Sequence, residues 1–210
     1  MATPNSKTAI VNLALRNLKT DPVISIEPPD DDSKAASAGA AWFDQARRDT
    51  LEAHPWKFAS RRRNLVADPT APLFEWDKQY ELPNDFIRVG YLGNDWRNPI
   101  TDYDIEGDFI LCNETSPLPL VYVWNLTDVT KFSPKFVTAL TYKLAALMAF
   151  EITGNAQLVG AMESQFDACF MKAASVNGQN RPTRRVQHSK LQQARQGQGR
   201  YKDWQRWGDT

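Results

Sequence analysis

Apolar residues recur at three- and four-residue spacing in two stretches near the start of the chain and in two beyond residue 130. Between them the spacing falls to two. In Thr8–Lys19 the residues Ile10, Val11, Leu13, Ala14, Leu15 and Leu18 follow the helical period. The stretch ends at Thr20-Asp21-Pro22, because proline lacks a donor and biases its predecessor away from helix. Asp30-Asp31-Asp32-Ser33 then offers an N-cap with carboxylates at the positive end of a helix dipole. An Ala-rich helix to His54 is predicted, with Ala36, Ala40, Phe43, Ala46 or Arg47, and Leu51 on the buried stripe. His54-Pro55 kinks or ends it.

From Arg61 to Thr130 prolines are frequent and short alternating runs replace the helical period. Phe86–Tyr91 alternates, and so does Tyr103–Leu111, with Glu106-Gly107-Asp108 as a hairpin turn. Leu120–Trp124 is β-branched and aromatic, as suits a half-buried strand. Four or more short strands predict a small antiparallel sandwich or barrel.

Helical spacing returns after Ser133-Pro134, an N-cap and N1 pair. Phe136, Leu140, Leu144, Leu147 and Met148 form one stripe, up to Thr153-Gly154-Asn155. Val159, Met162, Phe166, Cys169 or Phe170, and Ala173 form the next, at bundle-packing spacing. The expected fold is therefore α+β: a four-helix bundle with an inserted small antiparallel β domain and an extended C-terminal arm. Residues 1–60 and 131–177 make the bundle, 61–130 the β domain and 178–210 the arm.

Charge sharpens this division. The chain of 210 residues has 25 Lys+Arg and 25 Asp+Glu, a formal net charge of zero. From Asn177 onward eight basic residues face two acidic ones, a net of +6, which leaves residues 1–176 with 17 basic and 23 acidic groups, a net of −6. The segment Asn180–Thr210 has few aliphatic residues and cannot offset its own chain entropy by burial. It ends Arg200-Tyr-Lys-Asp-Trp-Gln-Arg-Trp207, and aromatic rings among cations are anchor chemistry. Both phosphate neutralisation with base stacking and insertion into a protein partner suit it.

Other chemistry is sparse. The apolar run around Leu144–Phe150 is far short of the roughly 20 residues of a membrane span, and the N-terminus lacks a secretory layout. Cys112 and Cys169, the two cysteines, fit a reduced compartment, which leaves the sequons at Asn113 and Asn125 as chance matches. His54 and His188 lack metal-ligand spacing, so no metal or cofactor is expected. Asp30–Asp32 read as capping rather than cation binding, since adjacent carboxylates splay apart. Arg61-Arg62-Arg63 could contact phosphate, but they also close a helix-like segment at the negative end of its dipole, and structural or inter-subunit salt-bridging is the reading preferred. Asp102/Asp104 or Glu75/Asp77 could serve glycoside hydrolysis, but every acidic β segment offers such pairs.

Several blocks, in order over residues 8–175, resemble the head-to-tail adaptor family of short-tailed phages, also called tail tubular protein A. They are Ala9–Leu18, Ile24-Ser-Ile26, Arg48–Ala59 with its His-Pro-Trp-x-Phe-Ala, Tyr80–Arg88, Ile105-Glu-Gly107, and Phe132-Ser-Pro-Lys-Phe136 leading into Leu144-Ala-Ala. One departure is Lys19-Thr20, where the family usually has a glycine. The resemblance implies a non-enzymatic virion protein, found in host cytoplasm during assembly. Twelve copies would form a ring joining the portal protein to the tail nozzle protein, and double-stranded DNA would pass through without sequence-specific binding. It also implies an arm that docks on the portal, and the residues offered for that role are Arg181, Arg184, Arg185, Lys190, Arg195, Arg200, Tyr201, Trp204 and Trp207. The alternatives are a nucleic-acid-binding module using the same tail, or a cell-wall glycan hydrolase using the β-segment carboxylates.

Overall fold

Four α-helices and two three-stranded antiparallel sheets make up the mixed α and β architecture of the computed structural model, which describes residues 6–27 and 33–179. Helix α1 is Lys7–Asn17, capped by the Ser6 hydroxyl accepting from Ala9 N at 3.1 Å. Ile10, Val11, Ala14 and Leu15 are its buried face. It ends in a Schellman turn: Thr20 N donates to Leu15 O at 3.0 Å and Lys19 N to Arg16 O at 3.1 Å. Lys19 takes the left-handed conformation, φ 58°, which a glycine would adopt without steric cost. The Asn12 side chain then pins the following segment by bonding both the N–H and the C=O of Val23, at 2.8 and 2.9 Å.

Helix α2, Lys34–Glu52, starts at Ser33, whose hydroxyl accepts from Ala36 N at 3.1 Å. The expected carboxylates Asp30–Asp32 lie outside the described residues. Ala36, Phe43, Ala46, Arg47 and Leu51 are buried as the period predicts, whereas Ala40 is exposed and Ala38 and Gly39 are buried instead. Gly39 marks a close crossing of α1 and α2, since a Cβ there would sit 2.7 Å from Val11 Cγ1.

Helix α3 is Pro134–Thr153 and α4 is Ala156–Gln179. Helix α3 packs on both α1 and α2. By length and composition it is apolar enough to cross a membrane, but Phe136, Leu140, Leu144 and Met148 are buried in the core, while Phe150 is exposed. Helix α4 covers that core from outside. Val159, Met162, Phe166, Cys169 and Phe170 are half-buried and Ala173 is the residue fully enclosed, so its predicted seam exists but seals less surface than the spacing suggested.

The strands are β1 Ser60–Leu65, β2 Lys78–Glu81, β3 Phe86–Leu92, β4 Asp104–Glu106, β5 Phe109–Cys112 and β6 Leu118–Trp124. One sheet has the order β1-β6-β3 and the other β2-β5-β4. The β4–β5 hairpin turns at Gly107-Asp108 as expected, with Glu106 opposite Phe109 and Gly107 at φ 56°. Strand β6 serves two cores: Leu118, Leu120 and Tyr122 enter a cluster with Leu65, Tyr80, Leu92 and Ile110, while Val123 joins the helical core.

Strand β1 corrects the expectation for Arg61-Arg62-Arg63, which do not close a helix. Helix α2 stops at Glu52 ahead of Pro55, and one 3-10 turn at Lys57–Ala59 follows. The chain then extends to pair with β6, Arg61 opposite Tyr122 and Arg63 opposite Leu120. The described residues up to Gly178 fall in one compact unit.

Candidate functional site

Two segments far apart in sequence, Arg48–Ala59 and Phe132–Phe136, meet in one aromatic cluster. Trp56 packs edge-on against Phe136 with ring centroids 5.2 Å apart, and Phe58 and Phe132 each lie 5.0 Å from Phe136. Trp56 is fully buried and its indole N–H donates to Thr50 O at 2.8 Å. In the Tyr80–Arg88 block the Tyr80 hydroxyl donates to Glu114 O at 2.8 Å. Asp85 of the same block accepts from the Tyr122 hydroxyl at 2.9 Å and pairs with Arg61. These residues hold helices and strands in register, and their chemistry is spent on one another.

The end of α4, from which the basic arm continues, is tied to the same region. Asn177 Nδ2 lies 2.9 Å from His54 Nε2 and donates to Pro55 O at 3.3 Å, while its Oδ1 accepts from Lys57 N at 3.0 Å. The His54 ring lies edge-on to Trp56 and Phe170, with centroids at 4.9 and 6.3 Å. Burial, and then the Arg88 charge, hold this imidazole below its ordinary pKa. Lys143 of α3 ties three helices together, pairing with Asp49 of α2 at 3.6 Å and lying 5.6 Å over the Phe166 ring of α4.

The outer surface of the strands is sharply divided in charge. Residues 61–130 hold six basic and twelve acidic groups, a net of −6, so the acidic excess of the chain ahead of its tail resides in this segment. On the β4–β5 hairpin Asp102, Asp104, Glu106 and Asp108 are all exposed. On β1 Arg61, Arg62 and Arg63 are exposed as well. A third feature is the tip of the loop between β1 and β2, where Leu73 is 96% and Phe74 78% exposed. Its base is anchored by Asp77 N donating to Asn113 Oδ1 at 2.8 Å and Lys78 Nζ to Glu114 O at 3.0 Å. The Leu-Phe pair in a proline-bearing loop was visible in the sequence, but its display depends on where β2 lies.

The features suited to catalysis are weak. An open cleft of about 590 Å³ runs between β1 and the β2–β3 connection, lined by Arg63, Leu65, Glu81, Asn84, Asp85 and Tyr122. Its ionisable groups are partly matched within it, by Arg61 with Asp85 and by the Tyr122 hydroxyl on Asp85. Burial, and then that hydrogen bond, hold the Tyr122 phenol above its usual range. Burial likewise pushes the Cys112 thiol up, away from the thiolate a nucleophile needs. Asp102, Asp104, Glu75 and Asp77 stand exposed on the surface rather than in an enclosed site. Among the described residues no group of three or more His, Cys, Asp or Glu side chains could hold a metal ion.

The arm residues Arg181, Arg184, Arg185, Lys190, Arg195, Arg200, Tyr201, Trp204 and Trp207 lie outside the described residues. No protein-family model matches the chain, and no curated protein matches it.

Proposed function

We propose that this chain is a structural virion protein, the subunit of a head-to-tail adaptor ring that joins a portal to a tail nozzle and continues the DNA channel. The observation that carries this reading is the aromatic cluster. His54-Pro-Trp-x-Phe-Ala and Phe132-Ser-Pro-x-Phe are distant in sequence and resemble that family, and here they pack together as one unit. In this reading α1–α4 are a four-helix bundle carrying the strands as an inserted β domain, and twelve copies make the ring.

The basic, Trp-rich arm docks on the portal. Its cations pair with acidic portal surface while Trp204 and Trp207 fill apolar pockets. Fixing roughly 30 residues costs conformational entropy, and a ring that repeats the contact offsets it through avidity. The acidic β segment repels phosphate, in keeping with DNA passing without adhering. The exposed Leu73 and Phe74 are apolar anchors for the nozzle side.

Truncation tests the arm. A chain ending at Gln179 should stay folded and lose portal binding. Unchanged affinity of the truncated chain for portal rings would refute the arm's role. Trp204→Ala with Trp207→Ala should weaken portal binding at unchanged charge. If the tail instead serves nucleic acid, DNA affinity will fall steeply with salt. Glycan turnover abolished by one carboxylate substitution would support a hydrolase.

A further inference from the structure

We infer that β1 of one copy docks against the β4–β5 hairpin of a second copy, so that subunits associate head to tail through oppositely charged sheet edges. Strand β1 is the outer strand of the sheet β1-β6-β3, and β4 is the outer strand of the sheet β2-β5-β4. Each therefore has one side outside its sheet's hydrogen-bond ladder. Such edges are open to pairing unless charge or cover protects them.

Here the two edges carry opposite charge in tracts of matched length. On β1 the tract is Arg61–Arg63, and on β4 it is Asp104–Glu106, flanked by Asp102 and Asp108. Three residues span roughly 7 Å along a strand, so charges on one edge can meet charges on the other. Arg61 is already engaged, paired with Asp85 and lying 3.3 Å over the Trp124 ring. Among the described residues its neighbours Arg62 and Arg63 are exposed and make no salt bridge, and the same holds for Asp102, Asp104, Glu106 and Asp108. At the centre of the acidic tract Ile105 is 45% exposed, and beyond β1 Val66 is 75% exposed, which gives each edge an apolar contact beside its charges.

The signs also select the geometry. Two β1 edges repel one another, and so do two β4 edges, so a two-fold dimer through either is disfavoured. The permitted pairing is β1 with β4, which is heterologous. Such a contact propagates and closes into a ring when its rotation allows. The number of copies rests on the adaptor reading, whereas the contact follows from the charges on the two edges.

The test is a charge swap in the full-length chain. Arg62→Glu with Arg63→Glu gives β1 the sign of β4, and Asp104→Lys with Glu106→Lys reverses β4 itself to the sign of β1. All four positions are exposed, so circular dichroism and melting should match the unaltered chain. In sedimentation at low salt and high protein concentration, each altered chain alone should self-associate at least about tenfold more weakly than the original. An equal mixture of the two should recover association. The proposal is overturned if either altered chain associates as well as the original, if the mixture gains nothing, or if the original stays monomeric throughout. Portal-bound rings that form unchanged with either altered chain would also overturn this contact while leaving the adaptor reading standing. Charge-dependent self-association in a chain that ignores portal would sink the adaptor reading and keep the contact.

Discussion

Asn177, at the end of α4, holds His54 beside α2 through a contact of 2.9 Å between amide Nδ2 and imidazole Nε2. The amide donates there only to a neutral imidazole, since a protonated ring would present a second donor to it.

The His54 latch makes the root of the arm sensitive to acid. The folded pKa lies below the unfolded value of 6.5, because burial and then Arg88 disfavour the charged ring. A depressed histidine binds fewer protons when folded, so its contribution is complete above 6.5 and is lost as pH falls through the lower folded value. Amide exchange at the end of α4 should accelerate on acidification through that range. Asn177→Asp should raise the His54 pKa, read by NMR titration, and flatten the effect. An unchanged titration of His54 in that variant would count against the latch.

Lys19→Gly should stabilise the chain. Lys19 occupies a left-handed position in the turn after α1, and a non-glycine residue there costs on the order of 1 kcal/mol. Part of that gain is offset by the extra freedom of glycine in the unfolded chain. The expected net is about 0.5 kcal/mol, seen as a higher urea midpoint at unchanged slope. A lower midpoint would show that the Schellman turn tolerates lysine without strain.

Gly39→Ala should destabilise despite the better helix propensity of alanine. Its Cβ would fall 2.7 Å from Val11 Cγ1, and Val11 is a stiff, fully buried residue. Overpacking of this kind costs about 1–3 kcal/mol, against a propensity gain of about 1. Gly39→Ala with Val11→Ala should recover part of the loss relative to the sum of the two single changes.

Arg47→Leu tests the tie between α2 and the exit of β6. The buried guanidinium donates to Asn125 Oδ1 at 2.6 Å and to Leu126 O at 2.9 Å. Leucine would leave both acceptors unmatched at a cost of about 1–3 kcal/mol. Thermal melting reads the loss, and a change near zero would mean that water replaces the arginine.

The helices were legible because their signals are local. Ser33 and Ser133 cap where the sequence pattern places them, and Gly107-Asp108 turns the hairpin. Arg61–Arg63 were misplaced because three arginines have no period of their own. Pairing with β6, some sixty residues later, makes them a strand. Ala40 was set on the buried face of α2 by regular spacing, while the close approach of Val11 rotates Gly39 inward instead. Asn177 gave no signal, since its three partners at residues 54–57 are distant in sequence. The arm was read from charge and tryptophan content alone, and its residues lie beyond those described.

Electron microscopy of the full-length chain mixed with its portal tests the adaptor assignment most directly. The account predicts a ring of added density on one end of the portal, with twelve-fold repetition and a continuous axial channel. Portal particles unchanged by an excess of folded chain would contradict it.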